Sequence, residues 1–218
     1  MTRRSTLQRL VLLAASTSVI TGGVLLPTSA FAAPPPRTAS VATADAGSGD
    51  AAGWSRTTDT TSGISVRLPD RPLVQQNNED GVRNRLYLVP TEYGAIGFSV
   101  FEAPGTDPSA PWDLKATLAS VLEGYNSDAK SSQDVLRSTG AHAGTTKGSP
   151  DLRADLTAAD GSRGHIRLID LGEHMVVVMT VSERGHQGLM DKDHRQVLDS
   201  VRVPGDDAAR SHDSSRPA

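Results

Sequence analysis

The sequence predicts an α+β domain in which an antiparallel β-sheet carries helices on its faces. Three observations predict it. Short runs that alternate apolar and polar residues, or are apolar throughout, recur from residue 64 to residue 181. Turn signals join neighbouring runs as hairpins. Helical periodicity is confined to inserted segments and does not alternate with every strand, which separates this pattern from a parallel α/β one.

The elements follow in order. Ile64, Val66 and Leu68 alternate with Ser65 and Arg67, a half-buried strand stopped by Pro69 and Pro72. Arg85-Leu86-Tyr87-Leu88-Val89 and Ile96-Gly97-Phe98-Ser99-Val100-Phe101 predict two more strands, with the turn at Tyr93-Gly94. Residues 104–111 are expected to be an irregular connection. A helix is expected from Ser109 or Ala110, with Pro111 at an early position that tolerates proline and Asp113 in the first turn. Trp112, Leu114, Leu118, Val121, Leu122 and Tyr125 recur at spacings of three and four and form its apolar stripe, and Gly124 and Asn126 mark its end.

Four further strands follow. Residues 137–143 are the least patterned. Residues 152–158 and 165–171 flank Ala159-Asp160-Gly161-Ser162, and Asp-Gly favours a tight hairpin because both residues tolerate positive φ. Gly172-Glu173-His174 turns the chain into residues 175–181, apolar at nearly every position and so expected at the centre of the sheet with both faces covered. Residues 191–200 predict a short closing helix that buries Val197 and Leu198, and Val201 and Val203 a last edge segment. There is no internal repeat.

The ends of the chain are of another kind. Arg3, Arg4 and Arg9 make a positive start, residues 10–26 an apolar run softened by Ser, Thr and Gly, and Ala30-Phe31-Ala32 a small-residue cleavage signal. This predicts a signal peptide over 1–32, cut between Ala32 and Ala33. Thr2-Arg3-Arg4-Ser5-Thr6-Leu7-Gln8 resembles the twin-arginine export pattern, with Thr6 where that pattern prefers Phe. The apolar run is too short and too interrupted for a strong membrane anchor. Residues 33–53 are Ala, Pro, Thr, Ser, Gly and Asp with little to bury, and are expected to be a disordered linker. Residues 205–218 are expected to be a polar tail, leaving 54–204 as a single domain.

Composition narrows the function classes. Without the leader the chain has 19 basic against 25 acidic residues, a net of −6. No basic patch invites nucleic acid or anionic lipid. With no cysteine there is no disulfide framework, thiolate metal site, cysteine nucleophile or lipidation site. Aromatics make up only 4% of residues, so the core must be aliphatic. Arg heavily outnumbers Lys, a mark of GC-rich coding.

The order of these signatures resembles the PsbP-like fold superfamily, which includes many exported actinobacterial proteins. It is carried by Gly63-Ile64-Ser65-Val66-Arg67-Leu68-Pro69 with Pro72, the Leu86-Tyr87 strand and Ile96-Gly97-Phe98-Ser99-Val100. The helix around 114–122, Gly161-Ser162-Arg163-Gly164-His165 and Val197-Leu198-Asp199-Ser200-Val201 complete it. The resemblance covers about 54–203 and implies a small binding or assembly subunit; it transfers no functional residue. Mycobacterial lipoproteins of similar pattern carry a lipidation cysteine that is missing here, which argues for a free secreted form.

Candidate chemistry is sparse. His186, Asp191, Asp193 and His194 have residue types that suit zinc or nickel, with Asp191 and His194 one helical turn apart. Gly185 and Gly188 mark a loop, however, and acids favour a helix start, so capping is expected there and no metal. Ser182 with His165 or His174 and an acid is compatible with a hydrolytic triad, but hairpin histidines facing water are the default, and no catalytic residue or cofactor is assigned. Trp112, Tyr93 and Tyr125 suit an apolar groove, yet Trp112 and Tyr125 are better placed to anchor the helix. The expectation is a secreted, non-enzymatic binding or accessory module that meets a protein or small ligand outside the cytoplasm. It does not bind nucleic acid and makes no stable membrane insertion after cleavage. A hydrolase whose site assembles only in the fold and a passive cell-envelope protein are the alternatives.

Overall fold

The computed structural model describes residues 53–79, 81–103, 110–127 and 129–204. The expected leader with Arg3, Arg4, Ala32 and Ala33, nearly all of the linker, and the tail lie outside the described residues. Strands β1 (Ser55–Thr58) and β2 (Ser65–Leu68) pair as a two-stranded ribbon. Seven strands make the main sheet: β3 (Leu73–Glu79), β4 (Val82–Thr91), β5 (Gly94–Glu102), β6 (Arg137–Thr146), β7 (Ser149–Thr157), β8 (Arg163–Asp170) and β9 (His174–Ser182). Their order is β3-β4-β5-β9-β8-β7-β6, antiparallel throughout. The helices are α1 (Leu114–Asn126) and α2 (Gln187–Ser200). The chain therefore has the α+β architecture its sequence predicts.

Strand β9 occupies the middle of the sheet, as its unbroken apolar run requires. Met175, Val177, Met179 and Val181 enter the core shared with Leu118, Leu122 and Tyr125 of α1. Val176 and Val178 enter a second core with Met190 and Val197 of α2 and with Ile64, Val66 and Leu68 around β2. The helices thus cover opposite faces. Two glycines let neighbouring strands approach β9: a Cβ on Gly94 would lie 2.0 Å from the Val181 carbonyl oxygen, and one on Gly164 2.0 Å from that of Thr180.

Several expectations need correction. Helix α1 starts at Leu114, later than expected, because Asp113 is its N-cap and accepts from the Lys115 and Ala116 amides. Pro111 and Trp112 precede the helix, and Ser109 lies outside the described residues. Strands β1 and β3 carry no apolar alternation strong enough to reveal them, and β6 runs three residues past 143. Helix α2 begins at Gln187, before 191, so Gly188 is helical and Asp191 and Asp193 are interior positions. Beyond α2 the expected edge segment is one bridge, Arg202 with Ser65.

Candidate functional site

Titratable side chains gather where α2 crosses β8 and β9, with β7 alongside. Side chains alternate along a strand, so His165 on β8 shares a face with its cross-strand partners, Asp155 on β7 and Thr180 on β9. Asp191 and His194, three positions apart on α2, project from one side of the helix onto that face. Asp155 Oδ1 lies 2.9 Å from His165 Nδ1, and Asp191 Oδ1 lies 2.9 Å from Nε2. Each ring nitrogen therefore meets a carboxylate. His194 Nδ1 and the Thr180 hydroxyl share a hydrogen bond of 3.0 Å, and the rings of His165 and His194 are 5.1 Å apart at 40°.

His194 is 8% exposed and Thr180 fully buried. Burial, followed by the charges of His165 and Arg167, pushes the His194 imidazole down from 6.5 to about 3, against the opposing pull of Asp191 and Asp155. It is neutral at physiological pH. Arg167 is itself engaged by Asp151, which also accepts from Thr146.

The sequence-selected residues divide accordingly. Asp191 and His194 come together with His165. Asp193 accepts from the Tyr93 hydroxyl, and burial followed by that bond pushes the Tyr93 phenol up to about 12. His186 is the N-cap residue of α2 without a side-chain capping bond, its ring 6.3 Å from that of Tyr93. The expected capping role of Asp191 and Asp193 is thereby replaced by contacts to the sheet. Among the described residues no three His, Asp or Glu side chains are arranged to hold a metal ion.

Among the described residues no hydrogen bond joins Ser182 to His165 or His174. His174 and Ser182 are opposite ends of β9, about 26 Å apart at the usual rise per residue. The Ser182 hydroxyl donates to the Arg163 carbonyl at 3.1 Å and is 1% exposed, while His165 is held by two aspartates. Trp112 donates from its indole to the Gly172 carbonyl at 2.8 Å and from its amide to Asp170 at 3.1 Å, and Tyr125 is buried in the α1 core. Both anchor the α1 region to the sheet. Tyr93 belongs to the opposite core, so these three aromatics share no groove.

Sequence reasoning missed a second polar centre. Asp59, fully buried after β1, accepts from Arg85 Nε and Nη2 at 2.5 and 3.0 Å, from the Tyr87 hydroxyl at 2.8 Å, and from the Ser62 amide and hydroxyl at 2.9 and 2.6 Å. Burial alone raises its pKa, yet the bonds from Arg85, Ser62 and Tyr87 outweigh it and hold the carboxyl down at about 2. Arg85 also reaches Glu102 at 3.3 Å. The available signal was a charge in register with the buried faces of Tyr87 and Val89. This centre pins the β1–β2 ribbon onto β4 and β5.

A hollow of about 20 Å³ lies beside α1, lined by Asn84, Leu86, Gly97, Ser99, Phe101 and Val121 among others. That holds a water, not a metabolite. Among the described residues no helix is long and apolar enough to cross a membrane.

No protein-family model and no curated protein matches the chain. Among solved structures it is similar to the solution structure of cyanobacterial PsbP (CyanoP) from Synechocystis sp., at 12% identity and a TM-score of 0.50, over 73% of this chain and 97% of that one. The likeness is one of fold, and it agrees with the PsbP-like resemblance of the sequence.

Proposed function

We propose that this protein is a secreted, non-enzymatic binding or accessory module, an exported actinobacterial variant of the PsbP-like fold. One observation carries the reading: the side chains that a hydrolytic reaction would call on are already committed to the fold. His165 is held between Asp155 and Asp191, His194 is buried against Thr180, and Ser182 bonds a strand carbonyl. A general base needs an unclaimed nitrogen within reach of a substrate proton; both ring nitrogens of His165 face carboxylates, and the His194 ring is buried beneath the helix. The fold likeness to CyanoP is compatible with a module that works by contact.

Export through the Arg3-Arg4 leader, cleavage between Ala32 and Ala33, a linker to residue 53 and a working domain over 54–204 complete the proposal. The partner is a protein or small ligand outside the cytoplasm, without nucleic acid or stable membrane insertion. Affinity enrichment of the mature chain from cell-envelope extract tests it. A partner retained at physiological salt and lost on competition with untagged protein is the expected result. Turnover in a hydrolase screen that vanishes in His165→Ala, with the fold intact, would overturn the reading. Mass spectrometry of the secreted protein should find an N-terminus at Ala33.

A further inference from the structure

Helix α2 is bound to the sheet without a backbone ladder. Its polar ties are side-chain contacts: Asp191 to His165, His194 to Thr180, Asp193 to Tyr93, and the Ser200 hydroxyl to the Arg67 amide at 2.8 Å. It is the last long element of the described chain, entered through a turn with Gly185 at φ 90° and followed by a single bridge. Two of the ties converge on paired imidazoles. We propose that α2 is an acid-released latch: uptake of a proton by His194, possible once the helix swings into water, drives α2 off the sheet and uncovers the apolar surface of the second core.

The groups around His194 explain the direction. On β8 stand His165, held between two carboxylates, and the Arg167 guanidinium; on β7 stand Asp155 and the Asp151 that pairs with Arg167; on α2 itself stands Asp191. Tyr93, from the β4–β5 turn, is tied to Asp193 further round the helix. The nearby carboxylates are spent on His165 and Arg167. A charge on docked His194 would sit 5.1 Å from the His165 ring, beside a guanidinium and shielded from water. Docked α2 therefore resists protonation to about pH 3, while the ordinary value is 6.5. The undocked helix binds the proton and the docked helix does not, so acid shifts the balance toward release by about tenfold per pH unit below 6.5. Met190 and Val197, both buried, leave the sheet with the helix, and Ile64, Val66, Phe98 and Val178 lose their cover.

Hydrogen exchange of the full mature chain tests this, read by mass spectrometry at pH 7.5, 5.5 and 4.5 and corrected for intrinsic exchange rates. Opening of α2 peptides should rise about tenfold at pH 5.5 and about a hundredfold at pH 4.5, with a smaller rise in β8 and β9. His194→Asn keeps a hydrogen-bonding group for Thr180 and takes up no proton, so its α2 opening should lose this pH slope whatever its absolute stability. The proposal fails if α2 and the β8–β9 strands lose protection together at every pH, or if His194→Asn keeps the wild-type slope.

Discussion

Replacing Asp59 by Asn tests what holds the β1–β2 ribbon to the sheet. The substitution preserves shape but removes the charge and sets an amide NH2 among donors from Arg85, Tyr87 and Ser62. The carboxyl titrates at about 2 against an ordinary 3.8, which contributes on the order of 2 kcal/mol of stability at neutral pH. Stranding the buried Arg85, which keeps only Glu102 at 3.3 Å, places the loss toward the 3–5 kcal/mol typical of broken buried pairs. A loss of about 3 kcal/mol in urea unfolding at pH 7 is expected. The pH dependence supplies a second check. A carboxyl depressed in the folded state stabilises fully above its unfolded value and loses that contribution as pH falls through 3.8 toward 2. The gap between wild type and Asp59→Asn should therefore be about 1 kcal/mol narrower at pH 3 than at pH 7. A loss below about 1 kcal/mol at pH 7, or a gap that does not change down to pH 3, would refute this account of the pin.

Three further substitutions probe other joints by the same urea titration. Gly164→Ala forces a methyl against the Thr180 carbonyl and should cost about 2–3 kcal/mol by separating β8 from β9. Asn126→Ala removes the paired bonds with the Leu136 backbone, at 2.8 and 2.7 Å, that clamp the end of α1, and should cost about 2 kcal/mol. Trp112→Phe keeps the ring but leaves the Gly172 carbonyl without its indole donor, for a loss of about 1 kcal/mol and little change in the cooperativity of unfolding.

What could be read in the chain depended on where a strand sits. Residues 64–68, 85–89, 96–101 and 175–181 announce themselves because buried strands must carry apolar side chains on one face or both. The two edges were harder. Strand β3 is Leu73-Val74-Gln75-Gln76-Asn77-Asn78-Glu79, and β6 is mostly small, exposed residues broken by a register shift between Thr139 and His142. An edge strand is held by a ladder on one side only and buries little, so its pattern is faint. The start of α2 was misplaced for a related reason: burial of Met190 in the second core, and not a capping acid, decides that the helix extends back to Gln187.

The sequence by itself determined the α+β class, the central position of β9, the aliphatic core and the lack of thiol chemistry, because each follows from local pattern or composition. The tertiary structure alone decided which polar residues meet. Asp155, His165, Thr180, Asp191 and His194 converge through strand register and the crossing of α2, and Asp59 finds Arg85 and Tyr87 across a gap of more than twenty residues. Contacts of that kind leave no periodic trace. They arise when antiparallel pairing brings distant positions onto one face, and burial then makes each polar group depend on the partner it finds there.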